Sequence, residues 1–291
     1  MEREVLVVGA GPAGSTTAMA LAQQGRDVLL IDRQQFPRDK VCGDAIPGGT
    51  LSMLFDLGME ERIKDSNFYA AHRLLLCSPS QYVLEADLNT GPRGEDACVV
   101  QRTVFDHTLQ QHALESGAEF LQLQVKEPIV EDERVVGVRV RQGGKTEEIR
   151  AKVVVGADGV TSVIARALRP DKHEDKHRAV ALRAYVENME LLPRQVEFYL
   201  FKSILPGYAW IFPMGDNRAN IGLGMRLDMF RKHEKSLEEL LDVFLEMPVI
   251  KKRLRPDTEL QNVASWQLTF GSQKNIRRAY DGALLVGDAA G

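Results

Sequence analysis

Glu4-Val-Leu-Val-Val-Gly9-Ala-Gly11-Pro-Ala-Gly14 opens the chain, and the reading of this stretch decides the fold. An apolar run reads as a strand, three glycines as a tight turn, and Thr16 to Gln24, stopped by Gly25, as a helix. A second strand, Asp27-Val-Leu-Leu-Ile31, leads to Asp32, the acid expected about 20 residues further on. Each element has a job at a dinucleotide. Gly9 makes the turn, Gly11 lets backbone approach a pyrophosphate, and Gly14 lets helix pack against strand. The helix N-terminus offers free N–H groups to the phosphates, with Ala13 in the glycine turn just before it expected at the cofactor. Asp32 can accept a hydrogen bond from a ribose hydroxyl, with Arg33 beside it.

Composition narrows the class. Among 291 residues, 44% are hydrophobic and 27% charged, as in ordinary globular proteins. A net charge of −4 offers no basic face for nucleic acid. The chain runs straight into a strand without a cationic leader, and no window approaches the roughly 18 apolar residues of a membrane span. Cys42, Cys77 and Cys98 are scattered and outside any CxxC spacing, which argues for a reducing compartment. Cytoplasmic location is the default, with peripheral membrane contact compatible with it. His72, His107, His112, His173, His177 and His233 share no ligand spacing, so no metal is expected.

Farther along, the pattern leaves and re-enters the nucleotide fold. Gly48 to Ile63 reads as helix, Arg73 to Cys77 and Gln81 to Leu84 as strands, and Arg102 to Ser116 as a helix stopped by Gly117. Val135 to Arg150 is a hairpin about Gly143-Gly144. Lys152-Val-Val-Val-Gly156 is a buried parallel strand by its valine run. The polar stretch 169–178 is the best internal boundary. Beyond it, 180–186, 195–201, 208–213 and 220–226 read as antiparallel strands, 236–245 as an amphipathic helix, and a further strand pair precedes Ala283-Leu-Leu-Val. The expectation is an α/β protein: a Rossmann-like dinucleotide-binding domain (1–65, 99–170, 276–291) interleaved with an antiparallel-sheet substrate domain (66–98, 171–275).

Two turns complete the nucleotide site. Gly156-Ala-Asp158-Gly159, with Ser162 beyond, ends a buried strand, and Gly287-Asp288-Ala-Ala-Gly291 follows another. In this order behind the glycine turn they resemble the flavoprotein fold of para-hydroxybenzoate hydroxylase and its relatives, over the whole chain. The resemblance implies FAD, with Asp158 and Asp288 at the cofactor, Arg102 near it and Val125 in main-chain contact with adenine. Relatives continue past the Gly287 turn into a helix and a helical C-terminal section. The expectation is therefore a piece of a longer product, or a chain that holds FAD weakly.

Two further motifs narrow the family. Pro37-Arg-Asp-Lys40-Val-Cys42-Gly43-Asp44 resembles the PxxKxCG segment of geranylgeranyl reductases. Tyr208-Ala-Trp210-Ile-Phe212-Pro213, followed by Gly222-Leu-Gly224, resembles their (Y/F)xWxFP…GxG substrate signature. The resemblance implies reduction of prenyl double bonds, as on chlorophyll precursors or archaeal lipids, by reduced FAD, itself recharged by NAD(P)H or a ferredoxin-type carrier. It implies Cys42 and Gly43 at the flavin, with Cys42 acting as proton donor or setting alkene geometry; the alternative is a small buried hydrophobe. Asp44 reads as a turn residue, with a second proton source as the other reading.

Tyr208, Trp210 and Phe212 share one strand face and can each bury ~150–250 Å² against an apolar chain. Gly222 and Gly224 are expected to leave space beside them; the competing reading has the aromatics simply in the core. A monooxygenase or halogenase of the same fold is the other enzyme reading. The expected halogenase lysine is lacking from Asn67 to Leu76, and Tyr208 and Phe212 replace two positions of the halogenase Trp-x-Trp-x-Ile-Pro signature. A truncated, non-catalytic flavin-binding fragment is the third.

Overall fold

The computed structural model describes every residue except 67, 90, 93 and 170–172; part of the 169–178 boundary and Asn67 therefore lie outside the described residues. The chain forms two compact interleaved units, Met1–Asp39, Thr103–His177 and Thr269–Gly291, and Lys40–Arg102 with Arg178–Leu268.

The first unit is built on a mixed sheet in the order 279–280, 283–285, 145–156, 2–8, 28–32, 119–122. From 283–285 to 119–122 the pairings are all parallel. Leu6, Val7, Leu29, Leu30, Ile31 and Val154 are wholly buried, as a sheet covered on both faces requires. The 145–156 strand does two things. Its first half pairs with 134–142 in the expected hairpin, and its second half enters the parallel sheet beside 2–8. One strand thus replaces the two separate ones expected.

The helix after the glycine turn runs Pro12–Gln23, one turn earlier than expected at Thr16. Pro12 at its first position explains this, because the fixed φ suits a helix start and the missing N–H costs nothing there.

The second unit holds a seven-stranded sheet in the order 254–269, 178–189, 218–226, 208–215, 195–199, 73–77, 83–87; from 178–189 onward the pairings are antiparallel except where 195–199 lies parallel to 73–77. One face buries an aliphatic core of Leu182, Ile211, Ile221, Leu223 and the Leu237–Leu245 helix. Ser236 and Glu239 start that helix as a reciprocal capping box. The other face carries a smaller cluster around Trp210 and Phe212.

Three expectations change here. Gly48 to Ile63 is two helices, Gly48–Asp56 and Glu60–Asp65, broken where Gly58 takes φ +82°. The strand pair after 245 is one strand, Leu254–Thr269, with mostly exposed side chains. Residues 40–65 belong to the second unit, because Ala45–Ile46 pairs with Ala97–Val99, which also pairs with Tyr69–Ala71.

Candidate functional site

In the first unit the glycines divide into two kinds. A Cβ on Gly9 (φ +100°) would lie 2.4 Å from the Ala157 carbonyl oxygen, and one on Gly14 would lie 1.7 Å from that of Gly9. These two are glycine so that the backbone can pack on itself. Around Gly11 the protein leaves room: the nearest atom to a Cβ there is Arg38 Nη2, at 3.4 Å. Gly11 is the N-cap of the Pro12–Gln23 helix, whose start no side chain caps. A helix start with open backbone before it suits a pyrophosphate.

Asp32 is half-buried and oriented by two backbone donors, Ala10 N–H at 2.8 Å and Gln34 N–H at 2.9 Å. Arg33 beside it is exposed. Arg38 forms a 2.7 Å ion pair with the fully buried Asp106, and its guanidinium lies over the Phe36 ring.

Asp158 has a local structural task. One oxygen accepts from Ser162 Oγ and the other from Val163 N–H at 2.7 Å, so the carboxylate caps the Val163–Leu168 helix. Burial pushes its pKa up, against these bonds. Gly159 (φ +77°) has open space where a side chain would stand. Gly287 (φ +58°) would place a Cβ 2.7 Å from that of Ala13, which brings the Gly287–Ala289 turn against the helix start. Asp288 is exposed. The Val125 side chain is buried in the aliphatic core, on a strand irregularity opposite Val140. Open backbone at Gly11 and Gly159, an uncapped helix start and an oriented acid together fit a dinucleotide.

Cys42, Gly43 and Arg102 belong to the second unit. There the Tyr208, Trp210 and Phe212 rings form a ladder along one strand face, with centroids 6.1 and 6.0 Å apart. Tyr208 is 45% exposed, whereas Trp210 and Phe212 are buried. Gly222 does not leave open space, contrary to expectation. A Cβ there would lie 2.3 Å from the Leu182 carbonyl oxygen and 2.4 Å from Trp210 Cζ2, so the neighbouring strand and the indole occupy the room. Beside Gly224, a Cβ would stand 3.2 Å from Ala181 Cβ. The Cys42 loop meets this ladder: a Cβ on Gly43 would lie 3.0 Å from Phe212 Cε2 and 3.4 Å from Trp210 Nε1. Cys42 is half-buried, and its proximity adds to burial in pushing the Tyr208 hydroxyl up.

Behind that loop lies a buried polar cluster. Asp44, wholly buried at φ +66°, accepts at Oδ2 from Tyr185 OH and from Asn220 Nδ2, both at 2.8 Å; its Oδ1 has no hydrogen-bond partner among the described residues. Burial pushes its pKa up to about 6, against the pull of Asn220, Tyr185, Arg183 and Arg102. Asn220, also wholly buried, donates to the Cys42 carbonyl at 2.8 Å and accepts from Trp210 Nε1 at 2.9 Å. Asn220 carries no motif signal, since it lies in the unspecified spacer between Pro213 and Gly222.

Residues 2–291 match the FAD binding domain family. The chain belongs to that family. Within it, a digeranylgeranylglycerophospholipid reductase of Methanosarcina acetivorans is 32% identical, covering 99% of this chain and 68% of that protein. Digeranylgeranylglycerophospholipid reductase 1 of Methanopyrus kandleri is 33% identical, covering 100% of this chain and 74% of its own length. A crystal structure from Thermoplasma acidophilum described as geranylgeranyl bacteriochlorophyll reductase-like superposes with a TM-score of 0.84 at 27% identity, over 99% of this chain and 71% of that one. The chain is an FAD-dependent oxidoreductase of geranylgeranyl reductase type. Among the described residues, no helix is long and apolar enough to cross a membrane.

Proposed function

We propose that the chain reduces carbon–carbon double bonds of a prenyl chain, on a geranylgeranyl lipid or a chlorophyll-type substrate. Gly9, Gly11, Ala13, Gly14, Asp32, Arg33, Val125, Asp158, Gly159, Gly287 and Asp288 hold FAD, with Arg102, Cys42 and Gly43 assigned to it by resemblance. When bound, reduced FAD supplies the hydride, and an NAD(P)H or ferredoxin-type donor restores it. The remaining work falls to side chains. An unactivated alkene has no carbonyl to polarise, so it must be held in one orientation, kept from water and given a proton.

The observation that carries this reading is the aromatic ladder with the Cys42-Gly43 backbone packed on it. Tyr208 is the exposed end and offers the contact for an apolar chain, while Trp210 and Phe212 set the depth of the wall. Gly222 and Gly224 serve the substrate by letting this wall lie flat on the sheet. Cys42 is the residue we assign to the chemistry. A lipid substrate also favours peripheral contact with a membrane.

The test supplies chemically reduced FAD and a geranylgeranyl lipid without oxygen and follows saturated product by mass. Trp210→Ala is expected to raise KM for the lipid more than it weakens FAD, and Cys42→Ser to lower kcat by about 10² or more, the usual scale of a positioned proton donor, with little change in stability. Product formation unchanged in both variants sinks the assignment. Oxygen consumption that yields a hydroxylated or halogenated small aromatic points to the other enzyme reading instead.

A further inference from the structure

Asn220 is the buried crossing point of three polar contacts that come from well-separated parts of the chain. Trp210 Nε1–H is a donor only, so the Asn220 oxygen must face it, and both amide protons are left for the loop. They go to the Cys42 carbonyl and to Asp44 Oδ2, 178 and 176 residues away in sequence. Across the sheet Asn220 stands between Phe212 and Tyr185, its register partners, and Tyr185 closes the set by donating to the same Asp44 oxygen. A Cβ on Gly43 would crowd the ladder, 3.0 Å from Phe212 Cε2 and 3.4 Å from Trp210 Nε1. The loop that carries Cys42 is thus pinned to the aromatic wall at its main chain, through one amide.

Resting on the function proposed above, we propose that Asn220 is a positioning residue that fixes the Cys42 loop to Trp210, so that thiol and substrate wall hold one geometry during reduction. The groups that face this amide and its partners are Tyr185 and Arg183 from the 178–189 strand, Arg102 from the start of the 102–115 helix, and Asp44 and Cys42 from the loop. Asp44 bears on the amide most directly. Asn220→Asp places a second carboxyl against it, and two carboxyls in contact cannot both ionise readily. That variant still accepts from Trp210 but can no longer donate to Cys42 as a carboxylate. Asn220→Ala loses both arms, so the two substitutions separate them.

Two measurements need neither cofactor nor substrate. Cys77 and Cys98 are buried, so a disulfide reagent reads Cys42 in the folded chain. The indole N–H resonance reads Trp210, assigned in a Trp266→Phe background. In Asn220→Ala, Cys42 labelling is expected to rise about tenfold, the scale of one lost buried hydrogen bond, and the Trp210 N–H to lose its bonded shift. In Asn220→Asp the indole shift persists while labelling still rises. Trp210→Phe, which keeps the ladder and removes the donor, is expected to speed labelling as well. With lipid, kcat falls in Asn220→Asp while FAD retention does not. Unchanged Cys42 labelling in the folded variants overturns the proposal, whichever of the three fold. A parent chain that fails to reduce prenyl lipid overturns the function proposed above, and the labelling and indole results then still decide whether the coupling exists.

Discussion

Two buried carboxyls lie on opposite faces of the second unit's sheet, and they are handled in opposite ways. Glu197 shares a face with Ile211, toward the aliphatic core. It receives Arg253 on both oxygens, at 2.7 and 2.8 Å, and the Tyr199 hydroxyl at 2.5 Å. Asp44 lies against the other face with two neutral donors on one oxygen and, among the described residues, none on the other. Charge satisfied on both oxygens makes a fixed strut. Charge stabilised on one oxygen, without a bonded cation, leaves a group that takes a proton near neutrality. The face that carries stability is closed, and the face that carries the Cys42 loop is left titratable.

The strongest way to break the contrast is Arg253→Met, which leaves Glu197 buried without its cation. Removing one member of a buried pair costs about 3–5 kcal/mol, and Arg253 also loses its bond to the Glu190 carbonyl. Chemical denaturation of the variant is expected to show a loss of this size. A loss below about 1 kcal/mol, the range of an exposed pair, would show that water reaches Glu197 and that the strut is no strut.

Next in size is the pH dependence of Asp44. Its pKa moves from 3.8 to about 6 on folding, so the folded chain binds a proton that the unfolded chain lacks between those values. Stability from this group is present below about pH 4 and is lost as pH rises through 6, by about 3 kcal/mol in all. Asp44→Asn removes the titration, keeps an oxygen for Tyr185 and Asn220, and suits φ +66°. Relative to the parent, the variant is therefore expected to gain stability between pH 5 and pH 8. A stability difference that is flat over that range would place Asp44 in water.

How far this was readable from residues alone follows from how local each signal is. The strand, glycine turn and acid near the N-terminus lie within one short segment, and the structure gives Gly9 and Gly14 the backbone packing that only glycine allows. The alternation of Tyr208, Trp210 and Phe212 fixed their common face for the same reason. What pairs with them did not show. Asn220 is one polar residue inside an apolar strand, and its partners are brought to it only by the fold. Gly222 looked like open space because spacing says where a side chain is missing and not which neighbour fills the room. The Glu197–Arg253 pair, 56 residues apart, was silent in the same way.

The finest cut through the comparison uses the two tyrosines. Each donates its hydroxyl to one of the carboxyls, Tyr199 to Glu197 and Tyr185 to Asp44. Tyr199→Phe takes a third donor from a carboxylate already held on both oxygens by Arg253 and is expected to cost about 1.5 kcal/mol, the low end for a bond to a charged group, at either pH. Tyr185→Phe acts on a carboxyl with only two donors, and its effect must depend on protonation. Above the Asp44 pKa the lost bond is one to a buried anion, about 1.5–3 kcal/mol; below it the lost bond is an ordinary neutral one, about 0.5–1.5 kcal/mol. The donor also favours the charged form, so its removal pushes the Asp44 pKa further up. Tyr185→Phe should therefore be milder at pH 5 than at pH 8, with the titration step in stability moved to higher pH. Equal losses at both pH values would mean that the Tyr185 hydroxyl does not stabilise the charged form of Asp44, and the contrast between the two faces would reduce to a hydrogen-bonded arginine on one and arginines acting only through space on the other.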